Sequence, residues 1–173
     1  HTRYGTVTGV QTCALPILNN FIWGNDKVQN YETICGGSGA SINQSGCSAV
    51  HTHMTNSRLT DPEVLEGRFP VKLESFSIRE NSGGKGLNSG GDGVDRRLRF
   101  LEPMTVNIIA GHRKIPPYGL SGGESGALGE NYVIHPDKSI TSLGTKGQIE
   151  VTKDDVFVLK TPGGGGFGKK PLN

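Results

Sequence analysis

Apolar and polar positions alternate in short bursts along this chain, and glycine-rich gaps separate the bursts. Residues 95–100 alternate with the two-residue period of a strand, residues 104–110 do the same, and Glu102-Pro103 sits between them as a turn. In residues 71–79, Val71, Leu73, Phe76 and Ile78 cannot share one face, because the phase shifts after Leu73. A bulge near Glu74 and Ser75 reconciles them. Residues 131–135, 140–143, 148–151 and 156–159 are short apolar runs at near-regular spacing, which predicts a meandering antiparallel sheet. Near the start, Phe21, Ile22 and Trp23 form an apolar edge expected to pack on something upstream.

Helical signals are sparse. Thr60 and Asp61 can cap a short helix that opens on Pro62, carries Glu63 in its first turn and Val64 and Leu65 on an apolar side, and stops at Gly67 and Pro70. The expected fold is therefore mainly β, with antiparallel sheets, Gly-rich loops and one or two short helices.

Composition adds limits to that picture. Hydrophobic residues make up 33% of 173 positions and glycines number 27, so the backbone is rich in turns and the core is thin. No apolar run approaches the length of a membrane-spanning helix. The net charge of +2 is interspersed, which gives no nucleic-acid or membrane footprint. Cys13, Cys35 and Cys47 form no CxxC pair and are odd in number, which fits reduced thiols in a cytoplasmic setting. Residues 1–17 resemble no domain start. Residues 7–17 match the forward translation of a short-read sequencing adapter, so residues 1–17 are expected to be an artefactual leader and residues 18–173 the genuine protein.

The densest run of chemistry-bearing side chains is residues 51–66. His51, His53 and Thr55 alternate, so an extended backbone would present two imidazoles and a hydroxyl on one face, with Asn56 and Arg58 on the exit. Imidazole suits proton transfer near neutral pH, and guanidinium suits bidentate oxyanion binding. The His pair could equally bond across a sheet. It could also converge on a metal, but no third ligand is evident, so no metal is expected. A second basic cluster, Gly111-His112-Arg113-Lys114, is either a solvated loop or a group for an anionic substrate.

Glycine-rich segments recur. Gly36-Gly37-Ser38-Gly39-Ala40 reads as a tight turn or as an anion-cradling loop, but it lacks both the Lys-Ser/Thr ending of a P-loop and a dinucleotide fingerprint, so it is not expected to bind ATP. Residues 81–93 form a long Gly-rich connection that is a candidate lid, and residues 161–168 close the chain with a segment too short to be a linker.

Taken in order, Tyr31-Glu32-Thr33, Gly36 to Ala40, the run from His51 through Asn56 and Arg58 to Glu63, Asn81-Ser82-Gly83-Gly84, Gly90-Gly91-Asp92-Gly93, the stretch from Pro117 to Gly123, and Thr161-Pro162 with its four following glycines resemble the hydantoinase B/oxoprolinase family, most closely its 5-oxoprolinase branch. The resemblance covers residues 18–173 and implies the C-terminal portion of a hydantoinase B/oxoprolinase domain, a fragment of a larger α/β subunit. It implies an ATP-dependent 5-oxoprolinase that converts 5-oxo-L-proline, ATP and water to L-glutamate, ADP and phosphate. ATP with Mg would be bound by a hydantoinase A-like ATPase domain or subunit, not by this fragment, and the complete enzyme would be oligomeric.

Within that frame His51 and His53 are the expected catalytic groups. Thr55, Asn56, Arg58 and Arg113 are expected to bind substrate. The alternatives within the superfamily are an N-methylhydantoinase or a ketone carboxylase subunit. Outside it, the fragment could be a structural or interface β-domain without catalytic residues.

Overall fold

The computed structural model describes residues 19–52 and 57–169. Its strands are β1 (Asn19–Gly24), β2 (Gln29–Thr33), β3 (Val71–Arg79), β4 (Gly93–Phe100), β5 (Met104–Ala110), β6 (Glu130–Ile134), β7 (Ile140–Leu143), β8 (Lys146–Val151) and β9 (Val156–Lys160). One short helix, α1 (Pro62–Arg68), precedes β3. The strands form a four-stranded sheet in the order β2-β1-β5-β8 and a five-stranded sheet in the order β3-β4-β9-β6-β7, and among the described residues neighbouring strands pair antiparallel.

The inward faces of both sheets supply one core. Phe21 of β1 stacks on Phe157 of β9 with ring centroids 4.7 Å apart, and Trp23 meets Phe100 edge-on at 5.9 Å and Phe69 at 5.1 Å. Phe21 and Trp23 are each 1% exposed, so the apolar edge expected to pack upstream is instead satisfied inside this fold. Burial of such aromatic surface is the main stabilising term.

Two local expectations hold. Asp61 caps α1, its side chain accepting a hydrogen bond from the Glu63 N–H, with Pro62 at the first position. Unlike the sequence reading, the helix runs through Gly67 and Arg68 and is capped at Phe69. The register of β3 against β4 shifts between Leu73 and Ser75, which is the bulge that the phase change demanded.

Other expectations are corrected. The strand foreseen across residues 51–55 does not extend through His51 and Thr52, which follow an isolated bridge between Gly36 and Val50; His53, Thr55 and Asn56 lie outside the described residues. The two strands expected on either side of Glu102-Pro103 are present: β4 pairs with β3 and β9, β5 with β1 and β8, and the turn carries the chain from one sheet to the other. The last four strands are not a meander, because β8 joins the first sheet while β6, β7 and β9 lie in the second.

The Gly-rich segments meet one another. Gly84 N–H donates to Gly164 O, Gly164 N–H to Gly91 O, Gly91 N–H to Ser38 O, and Gly166 N–H to Glu124 O, each at 2.8–2.9 Å. A Cβ on Gly164 would lie 1.9 Å from Ser38 O, and one on Gly37 would lie 1.9 Å from Gly91 O. The segments are therefore a close-packed backbone stack, possible only without side chains. The foreseen lid at residues 81–93 is part of that stack, tied at Gly84, Leu87, Asn88, Gly90 and Gly91 and by Asp92, which accepts from the Gly83 N–H at 2.7 Å.

Candidate functional site

The β3 bulge and the segment leading into α1 enclose a cleft of about 770 Å³. Arg58, Thr60 and Asp61 line it on the helix side, and Leu73, Glu74, Ser75 and Phe76 line it on the strand side. Its volume falls in the range of small-molecule sites. The bulge matters because it brings four consecutive β3 residues to the cleft, which strict alternation would not. Arg58 is exposed at this cleft.

Arg96 of β4 also lines the cleft. In β4 the parity that buries Val94, Leu98 and Phe100 also turns Arg96 inward, and its side chain is only 2% exposed. Its Nη2 donates to Glu32 Oε2 on β2 at 2.8 Å, an ion pair that joins the two sheets. The Glu32 side chain is 4% exposed. Among the described residues Arg96 Nε and Glu32 Oε1 have no hydrogen-bond partner. Burial holds the guanidinium below its ordinary pKa, and the Glu32 carboxylate opposes that shift. Cys35, also buried nearby, has its thiol pKa raised by desolvation, partly offset by a backbone hydrogen bond and by the Arg96 charge.

His51 is half-buried directly after the Gly36–Val50 bridge, and burial lowers its pKa below the ordinary imidazole value. A base kept neutral near pH 7 is suited to accept a proton.

Arg113 lies apart from the cleft lining, turned inward. Its Nη2 donates to Asn19 Oδ1 at 2.8 Å and to Asn131 Oδ1 at 2.6 Å, Nε to Asn131 Oδ1 at 3.1 Å, and Nη1 to Gly111 O at 2.6 Å. Burial lowers its pKa to about 10, with the Arg79 charge acting in the same direction and Glu130 opposing it, so it remains a cation at neutral pH. Asn19 belongs to β1 and Asn131 to β6, so Arg113 braces the two sheets in the same manner as Arg96.

The structure thus brings Arg58 and Arg96 to one cleft and engages Arg113 with protein acceptors. Arg96 was missed in the sequence, and Glu32 figured there only within the Tyr31-Glu32-Thr33 motif, although the parity of β4 carried a signal for Arg96: a charge in phase with Val94, Leu98 and Phe100 is a buried charge.

The Gly36 to Ala40 segment is settled as structural packing. The N–H groups of Gly36, Gly37, Ser38 and Ala40 donate to the carbonyls of Val50, Pro162, Cys47 and Gly165. Four of the segment's five amides are thus engaged by protein carbonyls. Among the described residues no three His, Cys, Asp or Glu side chains gather as a metal site.

The hydantoinase B/oxoprolinase family profile matches residues 6–170. The chain is 46% identical over 164 residues to 5-oxoprolinase 1 of Arabidopsis thaliana, a match that covers 94% of this chain and 13% of that protein. It is 42% identical over 169 residues to the 5-oxoprolinase of Dictyostelium discoideum, covering 98% of this chain and 13% of that one. The chain therefore spans a small part of the length of these relatives. The ATP-dependent caprolactamase of Pseudomonas jessenii shares the fold, with a TM-score of 0.71 at 24% identity over 92% of this chain and 30% of that chain. The ordered glycine motifs, the backbone stack they build and these matches agree: the chain belongs to the hydantoinase B/oxoprolinase family.

Proposed function

We propose that this chain is a portion of an ATP-dependent 5-oxoprolinase, the enzyme that opens 5-oxo-L-proline to L-glutamate as ATP is hydrolysed to ADP and phosphate. The observation that carries the reading is the 46% identity to a 5-oxoprolinase across 94% of the chain. ATP hydrolysis supplies the driving force for opening a stable lactam. The committed amides of Gly36, Gly37, Ser38 and Ala40 support assigning ATP, with Mg, to a hydantoinase A-like ATPase domain or subunit.

In this reading His51 and His53 move or hold protons during ring opening, Thr55 and Asn56 hydrogen-bond the ring, and Arg58 faces the substrate's acid group. Arg113, with its donors on Asn19, Asn131 and Gly111, supports the frame around them. Among the described residues no helix is long and apolar enough to cross a membrane, and Cys35 and Cys47 are free thiols, which supports a cytoplasmic enzyme.

The test is phosphate release by the complete subunit together with its ATPase, comparing 5-oxoproline with N-methylhydantoin and acetone. Release matched by glutamate formation, and lost in His53→Ala with folding retained, is the expected result. Release only with another compound moves the protein to a sister branch. A fully active His53→Ala variant removes that residue from the chemistry.

A further inference from the structure

We propose that Arg96, held on the cleft floor by Glu32, acts with Arg58 as a carboxylate-recognising pair, so that the cleft selects cyclic amides bearing an acid group over neutral lactams. The inference rests on the reading that a cyclic amide is the substrate and that Arg58 faces its acid group, and it adds Arg96 and a selection against neutral lactams.

Arg96 is an unusual floor for a cleft. Its side chain is 98% withdrawn from solvent, yet Nε has no partner among the described residues. Glu32 engages Nη2 and fixes the orientation of the guanidinium. The Phe76 ring, itself in the cleft lining, lies with its centroid 5.7 Å from Arg96 Cζ, which flanks the cation with an apolar face. A desolvated, oriented guanidinium with a spare donor is the group that planar carboxylates pair with best.

The rest of the lining agrees with that occupant. Arg58 adds a second cation to the lining, while Leu73 and Phe76 offer apolar surface to a ring. The two acidic residues of the lining are already engaged. Asp61 accepts from the Glu63 N–H at 3.0 Å, and Glu74 accepts from Arg99 Nε at 2.7 Å. Glu74 is neutralised by Arg99, and Asp61, exposed at the start of α1, is the one acidic group of the lining without a cationic partner among the described residues.

The experiment uses the complete enzyme with its ATPase and compares two lactams of the same ring size: 5-oxoproline, which carries a carboxylate, and 2-pyrrolidinone, which does not. The wild type is expected to favour 5-oxoproline by about 100-fold or more in kcat/KM, as sites built around a charged partner do. Arg58→Gln and Arg96→Lys are each expected to raise KM for 5-oxoproline by about 10-fold or more, with kcat changing less, and to erode the preference over 2-pyrrolidinone. A purely structural Arg96 would lower both substrates equally, and that outcome overturns the inference. If Arg96→Lys fails to fold, Arg58→Gln, at an exposed position, decides alone: an unchanged KM for 5-oxoproline overturns the pair.

Calorimetric binding of both lactams to the enzyme without ATP separates this inference from the functional reading. Binding of 5-oxoproline that requires its carboxylate and is lost in Arg58→Gln, in an enzyme that does not turn 5-oxoproline over, keeps the pair and removes the oxoprolinase assignment. Turnover of 5-oxoproline with equal binding of both lactams keeps the assignment and removes the pair.

Discussion

Gly164→Ala is the most direct challenge to the glycine stack. The added Cβ would lie 1.9 Å from Ser38 O, 2.3 Å from Ser38 C and 2.7 Å from Gly39 N, all backbone atoms that no rotamer change can move aside. Contact with Ser38 O falls about 1.5 Å short of ordinary van der Waals distance, so the two segments must part by roughly that much. Separation on that scale breaks hydrogen bonds that now measure 2.8–2.9 Å, from Gly91 to Ser38, Gly164 to Gly91 and Gly84 to Gly164. Each buried group left unpaired costs about 1–3 kcal/mol, so two or three give roughly 3–6 kcal/mol. Against a total stability of about 5–15 kcal/mol, that is a large fraction. With a urea slope of about 2 kcal/mol/M, the unfolding midpoint should fall by roughly 1.5–3 M. Gly67→Ala provides the control, since nothing lies within 4 Å of its added Cβ and the site is in α1. There the same chemical change should stabilise by about 0.5–1 kcal/mol. Urea unfolding of both variants, followed by Trp23 fluorescence, makes the comparison. A Gly164→Ala variant within about 0.5 kcal/mol of wild type would refute the close packing.

Glu32→Gln leaves the Arg96 cation buried without its counter-ion and should cost about 3–5 kcal/mol by chemical denaturation, more than replacing both partners with apolar residues. Arg113→Met keeps much of the volume but strands the Asn19 and Asn131 carboxamide oxygens. It should lower stability by roughly 2–5 kcal/mol, while folded enzyme keeps its KM for substrate. His51 has a lowered folded-state pKa, so the unfolded chain binds its proton first as pH falls. Its contribution is neutral above the unfolded value, turns destabilising as pH drops through about 6.5, and levels off below the folded pKa. Comparing wild type with His51→Asn in denaturation across pH 4–8 should show a shallower acid slope in the variant, and identical slopes would contradict the shift.

Local chemistry was the legible part of this fold. Asp61 and Pro62 announced a helix start because a cap needs only neighbours along the chain. The bulge in β3 was readable from Leu73 and Phe76 falling out of phase, which is again a statement about adjacent positions. Sheet membership was not readable, since the alternation in β4 and β5 is the same whether they pair with each other or with β9 and β1. The glycine stack was illegible for a related reason. A glycine has no side chain to give it a period or a face, so Gly91 and Gly164 carry no sign in sequence that they lie against each other.

The candidate site divides along the same line. Residues 51–66 drew attention through the density of their functional groups, and the segment from Arg58 to Asp61 does border the cleft. What completes the cleft comes from β4, where an arginine stands in phase with three buried apolar residues. A buried ion pair is weak evidence for stability alone, because desolvating both charges offsets most of their attraction. The ion pair of Arg96 with Glu32 and the hydrogen bonds of Arg113 to the neutral Asn19 and Asn131 side chains therefore call for different explanations. Arg113 has hydrogen-bond acceptors on all three of its nitrogens, as a frame requires. Arg96 leaves Nε unpartnered beside a cleft, and an unsatisfied buried donor persists at a cost that a bound carboxylate would remove.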